Sequence, residues 1–315
     1  MSEPYLIGLV GARGFAGAEL LHLIAAHPEL MLAYAVSREW AGRKVNEISP
    51  DILDEAIFEA LDPHEAARRR ADIVVLAMPD GVAKTYVEEI EKTAPEKIVV
   101  DLSADYRFDD SWVYGLPELH RKKIVGARRI ANPGCYATAL QLAIAPLVPV
   151  IGGVPAVFGA SGFSGAGTTP SPRNDPERLR DNLMPYKLVG HNHEREATRH
   201  LGTPVRFMPH VHPAFRGLIV TCHIPLSEKM DREAVKARFV EAYGDEPLIS
   251  LRDAPPELKD MAGRNGVLIG GFDVASDGMS AVVVAAEDNL LKGAASQAVQ
   301  NINLALGLPE LMGLS

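Results

Sequence analysis

Two short segments of this 315-residue chain place reactive or ligand-binding groups where a helix would begin. The first is Asn132-Pro133-Gly134-Cys135-Tyr136, between a short apolar run, Arg129–Ala131, and an apolar helical stretch, Ala139–Ala145. Pro and Gly make a sharp turn there and set Cys135 at a helix N-terminus. Unpaired amides at that position favour the thiolate of a group whose pKa starts near ~8.5. Cys135 is therefore a candidate nucleophile, against the alternative of a buried structural cysteine, the common state of a free thiol. The other cysteine differs: in Gly217–Ile224 (GLIVTCHI), alternation puts Leu218, Val220, Cys222 and Ile224 on one strand face. That pattern makes Cys222 a core residue.

The second segment is Gly11-Ala12-Arg13-Gly14-Phe15-Ala16-Gly17, directly after the apolar run Leu6–Val10. Its G-x-x-G-x-x-G spacing departs from G-x-G-x-x-G, but the physical need is the same. A tight turn lets the backbone approach a pyrophosphate, and helix-start amides face the anion. Gly11, Arg13, Gly14, Phe15, Ala16 and Gly17 are the candidate cofactor residues. A site for NAD wants an acidic side chain about 20 residues further on, for the ribose 2′-hydroxyl. Position 37 is Ser, followed by Arg38 and Glu39. A hydroxyl and a guanidinium suit a 2′-phosphate, so Ser37 and Arg38 favour NADP(H) over NAD(H). The competing reading makes Arg38 a solvated loop charge.

A reactive thiol together with NADP(H) narrows the chemistry. A thiolate adds to a carbonyl, and hydride moves through a thioester, as in aldehyde oxidation or acyl-phosphate reduction.

The elements that must position these groups alternate. Leu6–Val10, Leu32–Val36, Ile73–Ala77 and Ile98–Asp101 are strand candidates, with helices over Ala16–Ala26, Asp62–Arg70 and Ala83–Thr93. Strand and helix at this spacing predict an α/β chain with a parallel, doubly wound sheet. Beyond residue 150, Val154–Gly159 is strand-like and runs into Ser161–Asp175, a Ser/Gly/Thr/Pro-rich stretch expected to be a long loop. Leu218–Pro225, Val267–Val274 and Met279–Ala286 follow as strands without regular intervening helices, which predicts an antiparallel or mixed sheet. Asn289–Leu306 returns to helical period. The length suits about two domains. With 32 Lys+Arg against 41 Asp+Glu, the chain carries a net charge of −9. That balance disfavours nucleic-acid and polybasic membrane binding. Residues 1–10 lack a basic leader, no apolar run reaches the ~18 residues of a spanning helix, and two distant cysteines suit a reducing compartment. The expected location is the cytoplasm.

Over nearly its whole length the chain resembles the N-acetyl-gamma-glutamyl-phosphate reductases of arginine biosynthesis, related in fold to aspartate-semialdehyde dehydrogenases. The segments that carry the resemblance are GARGFAGAEL (Gly11–Leu20), DLSADYR (Asp101–Arg107), YGLPEL (Tyr114–Leu119), NPGCYATA (Asn132–Ala139), SGFSGAG (Ser161–Gly167), PHVHPAFRG (Pro209–Gly217) and NLLKGAASQAVQN (Asn289–Asn301). The resemblance implies a Rossmann-type domain over 1–134 plus 288–315, completed by a returning C-terminal helix. It implies an α+β substrate and dimerisation domain over 135–287, and a homo-oligomer, dimer or tetramer. Cys135 would form the thioester, and NADPH would donate hydride to an N-acylglutamyl phosphate. The stretch Tyr186–Glu196 (YKLVGHNHERE) matches the family's H-x-H-x-x-E segment, so His191 and His193 are both acid/base candidates. Tyr186, Arg107 and Arg216 are candidates for the substrate. Arg107 would grip the acyl phosphate and Arg216 a carboxylate; for each, an ordinary ion pair is the competing reading. Ser161, Gly162 and Asn289 are candidates beside the cofactor, with Asn289 as a helix N-cap the alternative. The chain departs from the family at Ala137, Thr168, Asn192 and Glu194-Arg195.

Related acyl phosphates (succinylglutamyl, carrier-bound aminoadipyl or aspartyl) are the nearest alternatives. Two readings of other classes remain. His191-x-His193 and His210-x-His212, if on strands, would put paired imidazoles on one side, as in a metal-dependent hydrolase. A non-catalytic NADP(H) sensor would have no need of the thiol.

Overall fold

An uninterrupted apolar run is satisfied only in a strand covered on both faces. Leu6–Val10 meets that requirement as part of β1 (Tyr5–Val10), whose Ile7 and Leu9 are fully buried. The computed structural model describes residues 3–50 and 56–314; residues 1, 2, 51–55 and 315 lie outside that description. The described chain divides into two units, Met1–Pro133 with Ala294–Ser315, and Gly134–Gly293.

In the first unit β1 is followed by α1 (Phe15–Ala26), β2 (Leu30–Val36), β3 (Phe58–Glu59), α2 (Pro63–Arg68) and β4 (Ile73–Leu76). Then come α3 (Ala83–Thr93), β5 (Ile98–Asp101), β6 (Val113–Tyr114), α4 (Pro117–Ile124) and β7 (Arg129–Ala131). The strands form one seven-stranded sheet in the order β3-β2-β1-β4-β5-β7-β6, parallel at every pair. This is the doubly wound sheet that the alternation predicts. Helix α3 shows how the sequence builds it: Ala83, Tyr86, Val87 and Ile90 recur on one face and are the residues it buries. A capping box starts α2, where the Asp62 carboxylate accepts from Glu65 N and Asp62 N donates to the Glu65 carboxylate.

The second unit opens with α5 (Cys135–Ile144), followed by β8 (Ala156–Gly162), α6 (Pro176–Leu179), β9 (Met184–Pro185), α7 (Asn192–Leu201) and β10 (Arg206–His212). It continues through β11 (Leu218–Pro225), α8 (Arg232–Tyr243), β12 (Ile249–Arg252), β13 (Val267–Val274) and β14 (Ser280–Glu287). Its sheet runs β12-β13-β14-β11-β8-β10-β9 and is mixed: β8–β10 and β12–β13 are parallel, the other pairs antiparallel. Helix α5 is apolar on all sides and buried from Tyr136 to Ile144, packed on β11 and β14. Cys222 faces that core and is fully buried. Phe158, Met208, His210, Ile219, Thr221 and His223 are less buried and alternate with core residues along β8, β10 and β11.

Three expectations change. Ser161 and Gly162 belong to β8 rather than to the loop, because Gly162 N still donates to Gly217 O and Ser161 pairs with Leu218. The last helical stretch is not uniform: a π turn over Leu291–Ala295 precedes α9 (Ser296–Leu306), so Asn289 is in neither helix. The chain re-enters the first unit at Ala294, where 288 was expected. Asp288 and Asn289 are held in the second unit, by Arg216 and by the amides of Gly263 and Gly217.

Candidate active site

The glycine turn joins β1 to α1 within the first unit. Gly11 has φ +85°, in the left-handed region, and a Cβ there would collide with the Ala77 carbonyl oxygen. Gly14 N donates to Gly11 O at 3.1 Å, and Gly14 is the N-cap of α1 without a side-chain cap. A Cβ on Gly17 would lie 2.5 Å from Gly11 O and 2.8 Å from the Ala12 Cα, so only glycine lets the helix sit this close to the turn. The first turn of α1 has no acidic side chain. Such a helix start offers amides and a positive dipole end to an anion, and the residues present fit a dinucleotide pyrophosphate. At the end of β2, Ser37 is buried and its Oγ accepts from Trp40 N at 3.3 Å. Glu39 pairs with Arg13 at 3.0 Å, while Arg38 is exposed and makes no ion pair among the described residues. A free guanidinium at the β2 end, with the neighbouring carboxylate engaged elsewhere, fits a 2′-phosphate.

The turn before the thiol is tied at nearly every polar atom. Asn132 N donates to Asp101 O at 2.8 Å, and Arg107 Nε donates to Asn132 O at 2.9 Å. The Asn132 side chain donates to Ala294 O and accepts from Asn301 Nδ2. Gly134 is the N-cap of α5, and its amide donates to Oε1 of Glu196 at 2.9 Å. Glu196 is fully buried. Cys135, the first residue of α5, is half-buried, unlike Cys222, whose pKa burial pushes up.

From Tyr136, the residue after Cys135, a chain of aromatic and imidazole ring contacts runs through the second unit. Tyr136 is buried, donates from its hydroxyl to His210 O at 2.7 Å, and packs edge-on to Phe207. Burial, with a smaller contribution from charge on Cys135, pushes the pKa of both Tyr136 and Tyr186 up. The Tyr186 ring lies 5.5 Å from that of His191, His191 lies 4.9 Å from His193, and His193 lies 5.9 Å from Tyr136. His191 is the N-cap of α7: its Nδ1 accepts from His193 N at 3.2 Å, which leaves the ring proton of the neutral form on Nε2. Burial first, then the charges of Lys187 and Arg173, push the His191 pKa down to about 4. The two histidines therefore start a helix, and the strand geometry that their spacing suggested does not apply to them. His210 and His212 do lie on β10, yet among the described residues no group of three or more His, Cys, Asp or Glu could hold a metal ion.

The expected anion-gripping arginines already have protein partners. The Arg107 guanidinium is buried and donates to the carbonyls of Asn132 and Leu102. Arg216 pairs with the buried Asp288 at 3.0 Å. The Asn289 amide accepts from Gly217 N at 2.9 Å and donates to Ser164 Oγ at 2.8 Å, so it ties β11 to the turn after β8 rather than capping a helix. Two residues near the thiol escaped the sequence reading. Glu196 is one; only its place in the H-x-H-x-x-E stretch hinted at it. Gly293 is the other: a Cβ there would lie 2.6 Å from Cβ of Cys135 and 2.8 Å from Oε1 of Glu287. No local signal separates that glycine from an ordinary one.

Comparison with known proteins places these features in context. The family model described as semialdehyde dehydrogenase, NAD binding domain matches residues 6–127, and that described as semialdehyde dehydrogenase, dimerisation domain matches residues 135–289. A curated N-acetyl-gamma-glutamyl-phosphate reductase of Xanthomonas campestris is 54% identical over 99% of both chains. One of Stenotrophomonas maltophilia is 52% identical over 99% of this chain and 98% of its own. Among solved structures, aspartate semialdehyde dehydrogenase II of Vibrio cholerae, complexed with ASA, superposes with a TM-score of 0.77 at 18% identity, covering 97% of this chain and 99% of its own. Aspartate semialdehyde dehydrogenase of Candida albicans, solved with NADP, gives 0.71 at 18% identity, with the same coverage.

Proposed function

The chain belongs to the semialdehyde dehydrogenase family, among its N-acetyl-gamma-glutamyl-phosphate reductases, and we propose from that membership that it reduces N-acetyl-L-glutamyl 5-phosphate to the 5-semialdehyde with NADPH, releasing phosphate, in arginine biosynthesis. The observation that carries this reading to particular atoms is the half-buried thiol at the first position of α5, on a turn clamped by Glu196, with the next residue, Tyr136, 5.9 Å ring to ring from His193. The glycine turn with Ser37 and Arg38 would hold the dinucleotide, which supplies hydride when bound.

Cys135 acts as the nucleophile. Its thiolate forms a C–S bond to the acyl carbon, the tetrahedral adduct collapses, and the C–O bond to phosphate breaks. The resulting thioester is the species that accepts hydride. The oxyanion of the hemithioacetal is stabilised by a proton from an acid/base group, and that proton returns to the same group as C–O becomes C=O and the C–S bond breaks, releasing aldehyde and regenerating the thiolate. We assign that proton to His193. His191 has its Nδ1 committed to the cap of α7, and with a pKa near 4 it is neutral at pH 7. His193 lies one ring contact from Tyr136, the residue after the nucleophile. Among the described residues no helix is long and apolar enough to cross a membrane. The cytoplasm is the location we propose, because free thiols and a reduced cofactor belong in a reducing compartment. For the part-exposed sheet face around Phe158, Met208 and Ile219 we propose a second copy of the chain, giving a homo-oligomer.

The reverse reaction tests the scheme with N-acetylglutamate semialdehyde, NADP⁺ and phosphate. NADPH should form only when phosphate is present, arsenate should substitute for it, and Cys135→Ala should lower kcat by at least ~10³-fold. Turnover that ignores phosphate, or that survives Cys135→Ala, would remove the thioester from the mechanism.

A further inference from the structure

Two cations in the second unit lack an acidic partner among the described residues and sit beside the histidine pair. The Arg173 guanidinium lies over the ring of Tyr186, 5.1 Å from its centroid. Lys187 Nζ donates to the side-chain Oδ1 of Asn192 at 3.3 Å. Neighbouring carboxylates are each engaged elsewhere. Glu177 pairs with Arg180, Asp175 accepts from the first amides of α6, Glu194 accepts from Phe207 N, and Glu196 accepts from Gly134 N. In a chain of net charge −9, two cations left together in this way amount to a receptor for an outside anion.

Arg173 is also held in place. The residue after it, Asn174, donates to the carbonyls of Gly167 and Thr169 and accepts from Ser171 N, and Asp175 then caps α6. The guanidinium therefore projects from a backbone clamped on its C-terminal side and rests on an aromatic face, which lowers the entropy lost on binding.

We propose that Arg173, with Lys187 beside it, binds the α-carboxylate of the N-acylated substrate; the proposal rests on the acyl-phosphate reductase reading. Chemistry chooses the carboxylate over the phosphate. The phosphate is bonded to the carbon that Cys135 attacks, whereas the α-carboxylate carbon is four carbons further along. Arg173 adjoins Tyr186, the ring that neighbours the thiol, which suits the distant anion. Arg107 and Arg216, the arginines that the sequence singled out, already hold protein carbonyls and Asp288.

The reverse reaction separates the substrates. Arg173→Ala should raise KM for the semialdehyde by about 10- to 100-fold, the effect of losing one charge-assisted pair. KM for phosphate and for NADP⁺ should stay within about twofold, and Arg173→Lys should recover part of the loss. Calorimetric binding of N-acetylglutamate, which has the carboxylate and no phosphate, should weaken by a similar factor. An unchanged KM for the semialdehyde with unchanged calorimetry, or a rise confined to phosphate, overturns the assignment while leaving the thioester scheme standing. A wild-type protein that turns over none of these substrates and binds no N-acetylglutamate overturns both.

Discussion

The chain makes two strand-to-helix turns of similar outline, and they are built in opposite ways. The turn from β1 into α1 is self-contained: Gly11, Gly14 and Gly17 pack against one another and against the Ala77 carbonyl, and the helix start has no side-chain cap. The turn from β7 into α5 is held by residues far away in sequence, Arg107, Ala294 and Asn301 around Asn132, and Glu196 on Gly134. On the reaction proposed above, the difference follows from what each turn would present. A pyrophosphate spreads its charge and is met by bare amides, so small residues and open space suffice. A nucleophile must aim one sulfur atom at one carbon, and a displacement of about 1 Å is costly. The second turn is therefore pinned from outside.

Breaking each turn should show the contrast. The largest effect is expected at Glu196. Glu196→Ala leaves the Gly134 amide without its acceptor, and the loss should be about 1–3 kcal/mol of stability with a fall in kcat near ~100-fold. Glu196→Gln keeps an acceptor oxygen and should restore most of the stability and part of the rate. Equal damage from both variants would make the carboxylate charge, rather than the hydrogen bond, the operative feature. Next in size is Gly17→Ala, whose methyl would press on Gly11 O and the Ala12 Cα. The dissociation constant for NADP⁺, read by fluorescence titration, should rise about tenfold, at a stability cost of about 1–3 kcal/mol. A thiol reagent should still label Cys135 at the wild-type rate; slowed labelling would mean the two turns are not independent.

The smallest effect at neutral pH concerns His191, since it appears only as the pH falls. The ordinary pKa is 6.5, and in the folded chain it is pushed down to about 4, so the unfolded state binds more protons between those values. Stability therefore falls as pH drops from 6.5 to 4, by something on the order of 2–3 kcal/mol. His191→Asn keeps a capping acceptor for the His193 amide but cannot titrate. Urea titrations of the variant should lose that part of the acid dependence. A variant with an unchanged slope would place the titrating group elsewhere.

How much was legible follows the same divide. The glycine turn, β5, β7, β11, β13 and α3 can all be read locally, since each depends on a run of apolar residues or a helical period within one segment. The small strands β6 and β9 are two residues long, and no periodicity marks them. Helix α7 was hidden because its residues are nearly all polar: it buries only Glu196 and Ala197, and the buried carboxylate is the one that accepts from Gly134 N. Arg107 and Arg216 illustrate the converse. Motif position marked them as candidate anion ligands, and the fold adds what the motif did not encode: some of their donors also hold carbonyls and a carboxylate of the chain itself.

The opposite fates of the two cysteines were determined by the sequence, because each depends on its own neighbours: alternation for Cys222 and a Pro-Gly turn for Cys135. So were the parallel sheet and the mixed sheet. Tertiary structure alone decided which charges remain available. Glu196 is taken by Gly134, Glu39 by Arg13 and Asp288 by Arg216, while Arg38, Arg173 and Lys187 have no acidic partner among the described residues. Pairing of charges depends on distances of a few ångströms between residues tens of positions apart, and no local pattern encodes those distances.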